Sequence, residues 1–223
     1  MKIEILQTAD GSNTLYLPEL DETYHSRHGS RQEALHVFIQ NGLQYHLEKH
    51  PEATEIKLLE VGFGTGLNAF LTFQEMGKIP SASLHYLGFE THPVPQEIWQ
   101  QLNYATTASE KEAYCHLMEV PYGEKTSITS FFQLEKIQEP IQQLALENQI
   151  DLVYFDAFGP RAQAEMWDKT IFEKLFKALK VGGVLVTYCA MGQFKRDLKS
   201  IGFNVEAIPG PPGKREMTRA TKA

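Results

Sequence analysis

Apolar and polar positions along the chain follow two periods in succession. Residues 3–7 and 13–17 alternate on either side of Asp10-Gly11, which predicts a β-hairpin. A polar stretch, DETYHSRHGSRQEA, separates the hairpin from Ala34, Leu35, Val37, Phe38, Leu43 and Leu47. The helical spacing of these residues predicts a helix over 31–49, ended by Pro51. Strands are then predicted at 56–61, 84–90, 151–156, 184–189 and 203–208, and helices at 67–76, 137–147, 171–179 and 194–200. A further helix opens at His92-Pro93-Val94-Pro95, where prolines are tolerated in a first turn. Residues 117–120 and 127–132 read as two more strands, and Gly182-Gly183 as a turn. Strands alternating with helices predict an α/β fold with a mostly parallel sheet covered on both faces. Ligands of such sheets bind beyond the carboxyl ends of the strands.

The 223 residues, 42% hydrophobic and 22% charged, match one large domain with an ordinary core. No run reaches eighteen apolar residues and no apolar leader opens the chain, so neither a membrane span nor a secretory signal is expected. Cys115 and Cys189 stand far apart without CxxC spacing, which argues against a disulfide framework or a zinc site and for a reducing, cytoplasmic setting. A net charge of −7 speaks against a nucleic-acid partner until its distribution is considered. From Met191 onward seven Lys/Arg face three acids, a tail of +4 on a body of −11, which leaves room for a local basic face.

Glu60-Val61-Gly62-Phe63-Gly64-Thr65-Gly66 joins the first core strand to its helix. Glycines at alternate positions admit positive φ and a close ligand approach. The GxGxG spacing lacks the lysine of a P-loop and is not a clean GxGxxG, so a nucleoside triphosphate is not expected. Glu90 ends the next strand, where a carboxylate can accept hydrogen bonds from both ribose hydroxyls. Together these residues predict an adenosine-containing ligand, NAD or S-adenosylmethionine (SAM). SAM suits the GxGxG form, with Glu60 meeting its cationic methionine end. Without a ligand the same residues make a tight turn and a solvated strand-end acid.

Asp156 ends a later strand at the same edge and opens Asp156-Ala157-Phe158-Gly159-Pro160-Arg161. Methyl transfer from a sulfonium needs a nucleophile with a free lone pair, and a primary alkylamine is mostly protonated at neutral pH. A strand-end carboxylate can hold such an amine and take its proton, a contribution of typically ~10²–10⁴-fold. Phe158 can stack on a flat base, worth roughly 1–3 kcal/mol. Alternatively Asp156 caps the next segment and Phe158 packs in the core. Arg161 has no assigned role.

Six blocks, in order, go further: ETYHSRHGSRQEALHVF, EVGFGTGLNAFLT, LHYLGFETHP, DLVYFDAFGPRAQAEMW, VTYCAMGQFKRDL and PGPPGKREMTRA. From about residue 10 to 220 the chain resembles the MnmD/MnmC-type tRNA methyltransferases, the methyltransferase half of the bifunctional members. The resemblance implies a Rossmann-like SAM-dependent methyltransferase fold over residues 56–223, with a seven-strand, mostly parallel sheet and one antiparallel strand. An N-terminal hairpin-helix extension, residues 1–55, belongs to the same unit. The implied reaction converts 5-aminomethyl-(2-thio)uridine at tRNA wobble position 34 to 5-methylaminomethyl-(2-thio)uridine, releasing S-adenosylhomocysteine. A separate enzyme would supply the aminomethyl group.

Carried over by position, Glu60, Gly62, Gly64 and Gly66 resemble the SAM loop, Glu90 the ribose acid, and Asp156 and Phe158 the amine contact and base-stacking group. Tyr188 ends the next strand, where it either flanks the site or is a core tyrosine whose hydroxyl needs a partner. Gln138 and Glu139 both stand about where an adenine-side acid is expected. The chain ends at Ala223 with no second glycine fingerprint, so FAD chemistry is not expected. The reaction needs no metal, and a monomer is compatible with the sequence.

The loop holding His25, Arg27, His28 and Arg31 carries too many cations for a metal site. It reads as an active-site lid or a solvated loop, with Ser30 and Glu33 capping the next helix. With Lys214, Arg215 and Arg219 it would touch anticodon-loop phosphates, around splayed bases that RNA readers recognise, in a salt-dependent way. Two rivals are a spermidine-synthase-like small-amine transferase and a non-catalytic SAM- and RNA-binding module.

Overall fold

The computed structural model describes residues 2–223. Strands β1 (Glu4–Gln7), β2 (Asn13–Leu17) and β3 (Glu22–Thr23) form a small antiparallel sheet of their own. Helix α1 follows over residues 30–49, α-helical at Ser30–Ala34 and Tyr45–Lys49 and π-helical at Leu35–Gln44. It lies so close to the main sheet that a Cβ on Gly42 would come within 2.9 Å of the Tyr154 ring.

The main body runs β4 (Glu55–Val61), α2 (Leu67–Met76), β5 (Ser83–Phe89), α3 (Gln96–Trp99), α4 (Ala108–Glu119), β6 (Lys125–Thr129) and β7 (Phe132–Ile137). It continues with β8 (Ile150–Phe155), α5 (Lys169–Ala178), β9 (Leu179–Thr187), α6 (Gly192–Ile201), β10 (Phe203–Pro209) and β11 (Glu216–Lys222). The strands lie in the order β10-β11-β9-β8-β4-β5-β7-β6. Pairings from β9 through β8, β4 and β5 to β7 are parallel, while β6 and β11 run against their neighbours.

Successive side chains of a strand point to opposite faces, so the sheet carries two cores. Leu58 and Tyr154 pack with Val37 and Phe38 of α1 and Phe70 of α2 on one face. Leu59, Val153 and Phe155 pack with Phe172 of α5 and Phe194 and Leu198 of α6 on the other. Leu15 of the hairpin and Phe38 share the first cluster with the sheet residues, so residues before 56 and after it are joined by one apolar core. No helix among the described residues is long and apolar enough to cross a membrane.

Four expectations are corrected. The sheet has eight strands, not seven, and two of them are antiparallel. The strand expected at 127–132 straddles the turn of the β6–β7 hairpin, because the apolar alternation continues through that turn. The strand expected at 117–120 is the buried end of α4. That helix is started by a reciprocal capping box between Thr107 and Glu110, and only Tyr114, Leu117 and Met118 are buried along it. The helix expected at 137–147 is a single 3₁₀ turn at Ile141–Gln143. Beyond it, the Asn148 and Gln149 N–H groups donate to the Lys177 and Ala178 carbonyls at the end of α5, which leaves no intrahelical ladder. The last strand, β11, is inserted between β9 and β10, where Met217, Thr218 and Ala220 are fully buried although their neighbours in sequence are polar.

Candidate active site

The direction of strand addition reverses at β4: the chain passes to β5 on one side and later returns to β8 on the other. A crevice opens beyond the carboxyl ends of strands at such a point. The Asp156 N–H donates to the Val61 carbonyl at 2.9 Å and ties the two strand ends together. Gly62 has φ 91°, and a Cβ there would stand 2.6 Å from the Asp156 carbonyl oxygen, so contact between strand ends itself demands a glycine. At Gly64, φ 50°, a Cβ would press on the Tyr24 ring at 3.1 Å.

A cavity of about 380 Å³ fills the crevice. Its floor is Gly62, Phe63, Gly64, Thr65 and Asn68. One end is formed by Glu90, His92, Pro93, Glu139 and Ile141, the other by Asp156, Phe158, Gln163 and Met166, and Leu17, Leu20, Tyr24 and His25 of the N-terminal extension roof it. Of the candidate cofactor residues, Gly62, Gly64, Glu90 and Glu139 line this cavity, whereas Glu60, Gly66 and Gln138 do not. Gly66 instead opens α2 from a left-handed conformation, and Gln138 is exposed.

Glu90 accepts the Gly64 N–H at 2.9 Å on one carboxylate oxygen and the His92 N–H at 2.8 Å on the other. Each oxygen keeps a lone pair for a further donor. Burial raises its pKa, opposed by those two backbone bonds. Glu60 is fully buried, with Oε1 accepting from Asn68 at 2.8 Å and Oε2 from the Tyr86 hydroxyl at 2.7 Å. Burial lifts its pKa well above the carboxylate range, opposed by the Asn68 bond. The expected contact of Glu60 with the methionine end of a cofactor is thus corrected: its side chain points into the core beneath the glycine turn.

Asn68, which no sequence motif marks, carries the link between these acids. Its Nδ2 donates to Glu60 Oε1 and, at 2.8 Å, to Asp156 Oδ2. The available signal was a single amide in the apolar first turn of α2, Leu67-Asn68-Ala69-Phe70. Burial pushes the Asp156 pKa up to about 7, the nearby Glu33 carboxylate adds to this, and Asn68 and the Lys214 ammonium oppose it. A carboxyl group poised near neutrality suits proton transfer at physiological pH. Phe158 lines the cavity with its ring edge-on to Tyr24 at 5.0 Å. Its backbone is held by the Gln163 side chain, which accepts its N–H at 3.2 Å, and by the Trp167 indole, which donates to its carbonyl at 2.8 Å. The turn after β8 is therefore rigid on both flanks.

Tyr188 donates its hydroxyl to the Ala157 carbonyl at 2.8 Å and presents its ring to a second, more open cavity of about 520 Å³, shared with Lys214 and Arg215. His25 is buried and lines the first cavity, and burial holds its pKa down at about 4, so it is neutral. Arg27 and His28 are exposed, with the Arg27 guanidinium 5.2 Å from the centroid of the Tyr16 ring. Two of the residues expected at phosphates have partners within the chain. Arg31 donates to the Tyr104 carbonyl, and Arg219 pairs with Glu206 at 3.0 Å while stacking 3.5 Å over Tyr45. Glu33 caps nothing with Ser30: its carboxylate accepts the Ser26 N–H at 2.7 Å and the Lys214 ammonium at 2.6 Å. Arg161 acquires a role, bonding the Asp21 carbonyl at 2.8 Å and the Glu22 carboxylate at 3.1 Å, so that it clasps the β8 turn to the roof.

A mostly parallel sheet, a glycine-floored crevice at its switch point, an acid at one end and a near-neutral carboxylate at the other define a Rossmann-like transferase with an adenosine cofactor. The chain belongs to the S-adenosyl-L-methionine-dependent methyltransferase family, whose model matches residues 96–223. It is 32% identical to the tRNA 5-methylaminomethyl-2-thiouridine biosynthesis bifunctional protein MnmC of Cupriavidus metallidurans, over 93% of this chain and 32% of that protein. The protein of the same description from Cupriavidus necator is 31% identical over 92% of this chain. The chain spans about a third of the length of these curated relatives. The crystal structure of MnmC2 from Aquifex aeolicus superposes with a TM-score of 0.82 at 26% identity, covering 99% of this chain and 70% of that one. Spermidine synthase from Thermotoga maritima shares the fold, with a TM-score of 0.56 at 16% identity over 99% of this chain and 69% of that one.

Proposed function

We propose that this enzyme methylates the primary amine of 5-aminomethyl-(2-thio)uridine at the wobble position of tRNA, yielding 5-methylaminomethyl-(2-thio)uridine. The observation that carries the reading is Asp156. It is a carboxyl group with a pKa of about 7, lining the cavity beside the glycine turn, in a chain aligned along nearly its whole length with MnmC2. The names of the curated relatives supply the nucleoside.

SAM, when bound, supplies an electrophilic methyl group on a sulfonium. In the proposed arrangement Gly62, Gly64 and the free lone pairs of Glu90 hold its adenosine and methionine parts, with Glu139 on the adenine side. Asp156 accepts a proton from the substrate ammonium and retains the neutral amine by its remaining N–H groups. The amine lone pair then forms the N–C bond as the S–C bond breaks, and the sulfur keeps the bonding pair as a thioether. Phe158 stacks on the uracil ring and fixes the line of attack, because holding reactants in near-attack geometry is worth on the order of 7–11 kcal/mol at best. Tyr188 fixes the Ala157 carbonyl, and so the turn that carries Asp156. Arg27 and Arg215 are the exposed cations left for RNA phosphates, with the exposed His28 as a further polar contact, and neither a metal nor FAD takes part. Another enzyme installs the aminomethyl group.

The test is methyl transfer from labelled SAM to tRNA of a strain lacking this methylation, followed by nucleoside analysis. Appearance of labelled 5-methylaminomethyl-(2-thio)uridine, abolished by Asp156→Ala, is the expected result. Label transferred without tRNA, or none transferred at all, overturns the reading.

A further inference from the structure

Lys214 is held in an unusual setting for a surface lysine. It lies on the loop between β10 and β11, which the Gly210 N–H closes onto the Arg215 carbonyl at 3.2 Å. Its Nζ donates to Glu33 Oε1 at 2.6 Å and sits 3.9 Å from the centroid of the Tyr188 ring. Glu33 is 7% exposed, its other oxygen is taken by the Ser26 N–H, and the ammonium supplies its counter-charge. A carboxylate and an aromatic face together are what a primary ammonium group binds best, through a charge-assisted hydrogen bond and a cation–π contact. Both groups adjoin the proposed reaction centre: Tyr188 bonds the carbonyl of Ala157, next to Asp156, and the charges of Glu33 and Lys214 both act on Asp156. Tyr188 and Lys214 line the second cavity, whereas Asp156 and Ala157 line the first, so the lysine stands at the partition between the two.

We propose that Glu33 and the Tyr188 ring form the recognition site for the substrate's primary ammonium group, and that Lys214 is its built-in occupant, displaced when substrate binds. The inference rests on the reading of the substrate as a primary amine. The ammonium arriving at Glu33 is delivered beside Asp156, which takes its proton. The displaced lysine swings with its loop into the second cavity, beside Arg215. Free protein is thereby self-occupied, and neutral or anionic groups gain no affinity from the site.

Benzylammonium, a flat ring bearing CH₂NH₃⁺, is the probe, with benzyl alcohol as its uncharged counterpart, titrated into protein saturated with S-adenosylhomocysteine. Lys214→Met is expected to bind benzylammonium about tenfold more tightly than the wild type. The double variant Lys214→Met/Glu33→Gln, which leaves no unpaired buried carboxylate, is expected to lose that gain, and benzyl alcohol is expected to bind all three equally. Equal or weaker binding of benzylammonium by Lys214→Met, or a gain that survives Glu33→Gln, overturns the proposal. In the wild-type protein, the ¹⁵Nζ resonance of Lys214 should shift on adding benzylammonium, and a resonance that does not move overturns it independently of how the variants fold. Methylation of aminomethyl-uridine tRNA is measured in parallel. If it fails while the ammonium gain is present, the tRNA reading falls and the ammonium site stands; the reverse pattern removes the site alone.

Discussion

Asn68 donates its side-chain N–H to Asp156 Oδ2 at 2.8 Å, so the first turn after the glycine loop fixes the carboxylate at the end of a different strand. The element that would hold the methyl donor and the group that would take the proton are mechanically one piece. Asp156→Asn should lower kcat by ~10²–10⁴-fold, the usual range for a positioned proton acceptor. Asn68→Ala keeps the carboxylate but frees its orientation. A smaller fall in kcat, about tenfold or more, is expected with KM for SAM changed less. Steady-state methyl transfer at saturating tRNA separates the two, and a wild-type kcat in Asn68→Ala would remove its positioning role.

The pKa of Asp156, about 7 against an ordinary 3.8, gives two signs to check. A proton acceptor, the role proposed for Asp156, works only when ionised, so kcat/KM should rise with pH through about 7, and Asp156→Asn should lack that inflection. For stability, the folded protein binds the extra proton between about 4 and 7. The contribution of this group is therefore complete below about 4 and lost as pH rises through 7. Asp156→Asn cannot ionise, so its Tm relative to wild type should increase between pH 5 and pH 8, by roughly 2–4 °C for each kcal/mol relieved. A Tm difference that is the same at both pH values would contradict the shifted pKa.

Glu90 is held by two backbone N–H groups before any ligand arrives, which makes it a preformed acceptor. Glu90→Ala should raise KM for SAM about tenfold or more while leaving kcat within a few-fold, the pattern of lost uniform binding. Isothermal titration with S-adenosylhomocysteine gives the same number without turnover. Unchanged affinity would exclude Glu90 from the cofactor site.

Glu60 makes the opposite prediction. It is fully buried, and burial favours its neutral form. Glu60→Gln keeps the shape, its amide oxygen accepting from Asn68 and its N–H donating to the Tyr86 hydroxyl oxygen with the direction of that bond reversed, so stability and KM for SAM should stay close to wild type. Glu60→Ala strands both partners and should cost roughly 1–3 kcal/mol for each group left unsatisfied. Chemical denaturation reads both. A large rise in KM for SAM in Glu60→Gln would restore the cofactor contact that the geometry denies.

Among the basic residues, exposure divides function from support. Removing one phosphate contact reduces the slope of log affinity against log salt by about 0.7–0.9. Arg215→Ala and Arg27→Ala should show that loss in tRNA binding. Arg219→Ala should leave the salt slope unchanged and lower Tm instead, because its guanidinium is engaged by Glu206 and Tyr45. A flattened slope in Arg219→Ala would reverse the assignment.

What could be read along the chain was what neighbours in sequence determine. Apolar runs placed β4, β5, β8 and β10, and α2 was placed to the residue, because Gly66 and Gly77 punctuate a strongly periodic stretch. The GxGxG turn, Glu90 and Asp156 were legible because each sits where a strand ends, and strand ends are local events. The capping box of α4 is equally local, but few apolar residues mark the helix it starts. Only the tertiary structure decided which polar side chains face the crevice and which support it. Glu60 and Glu90 look alike in sequence, each an acid closing an apolar strand. The pleat and the packing of α2 turn one into the core onto Tyr86, while the other lies beside the cavity. Lys214 and Arg219 belong to one basic run, yet one occupies a carboxylate–aromatic site beside Asp156 and the other lies across Tyr45. Their partners, Glu33 and Glu206, lie 181 and 13 residues away. The reason is physical: the charge a residue carries is fixed by its chemistry, but its partner is fixed by chain segments brought together only when the sheet assembles.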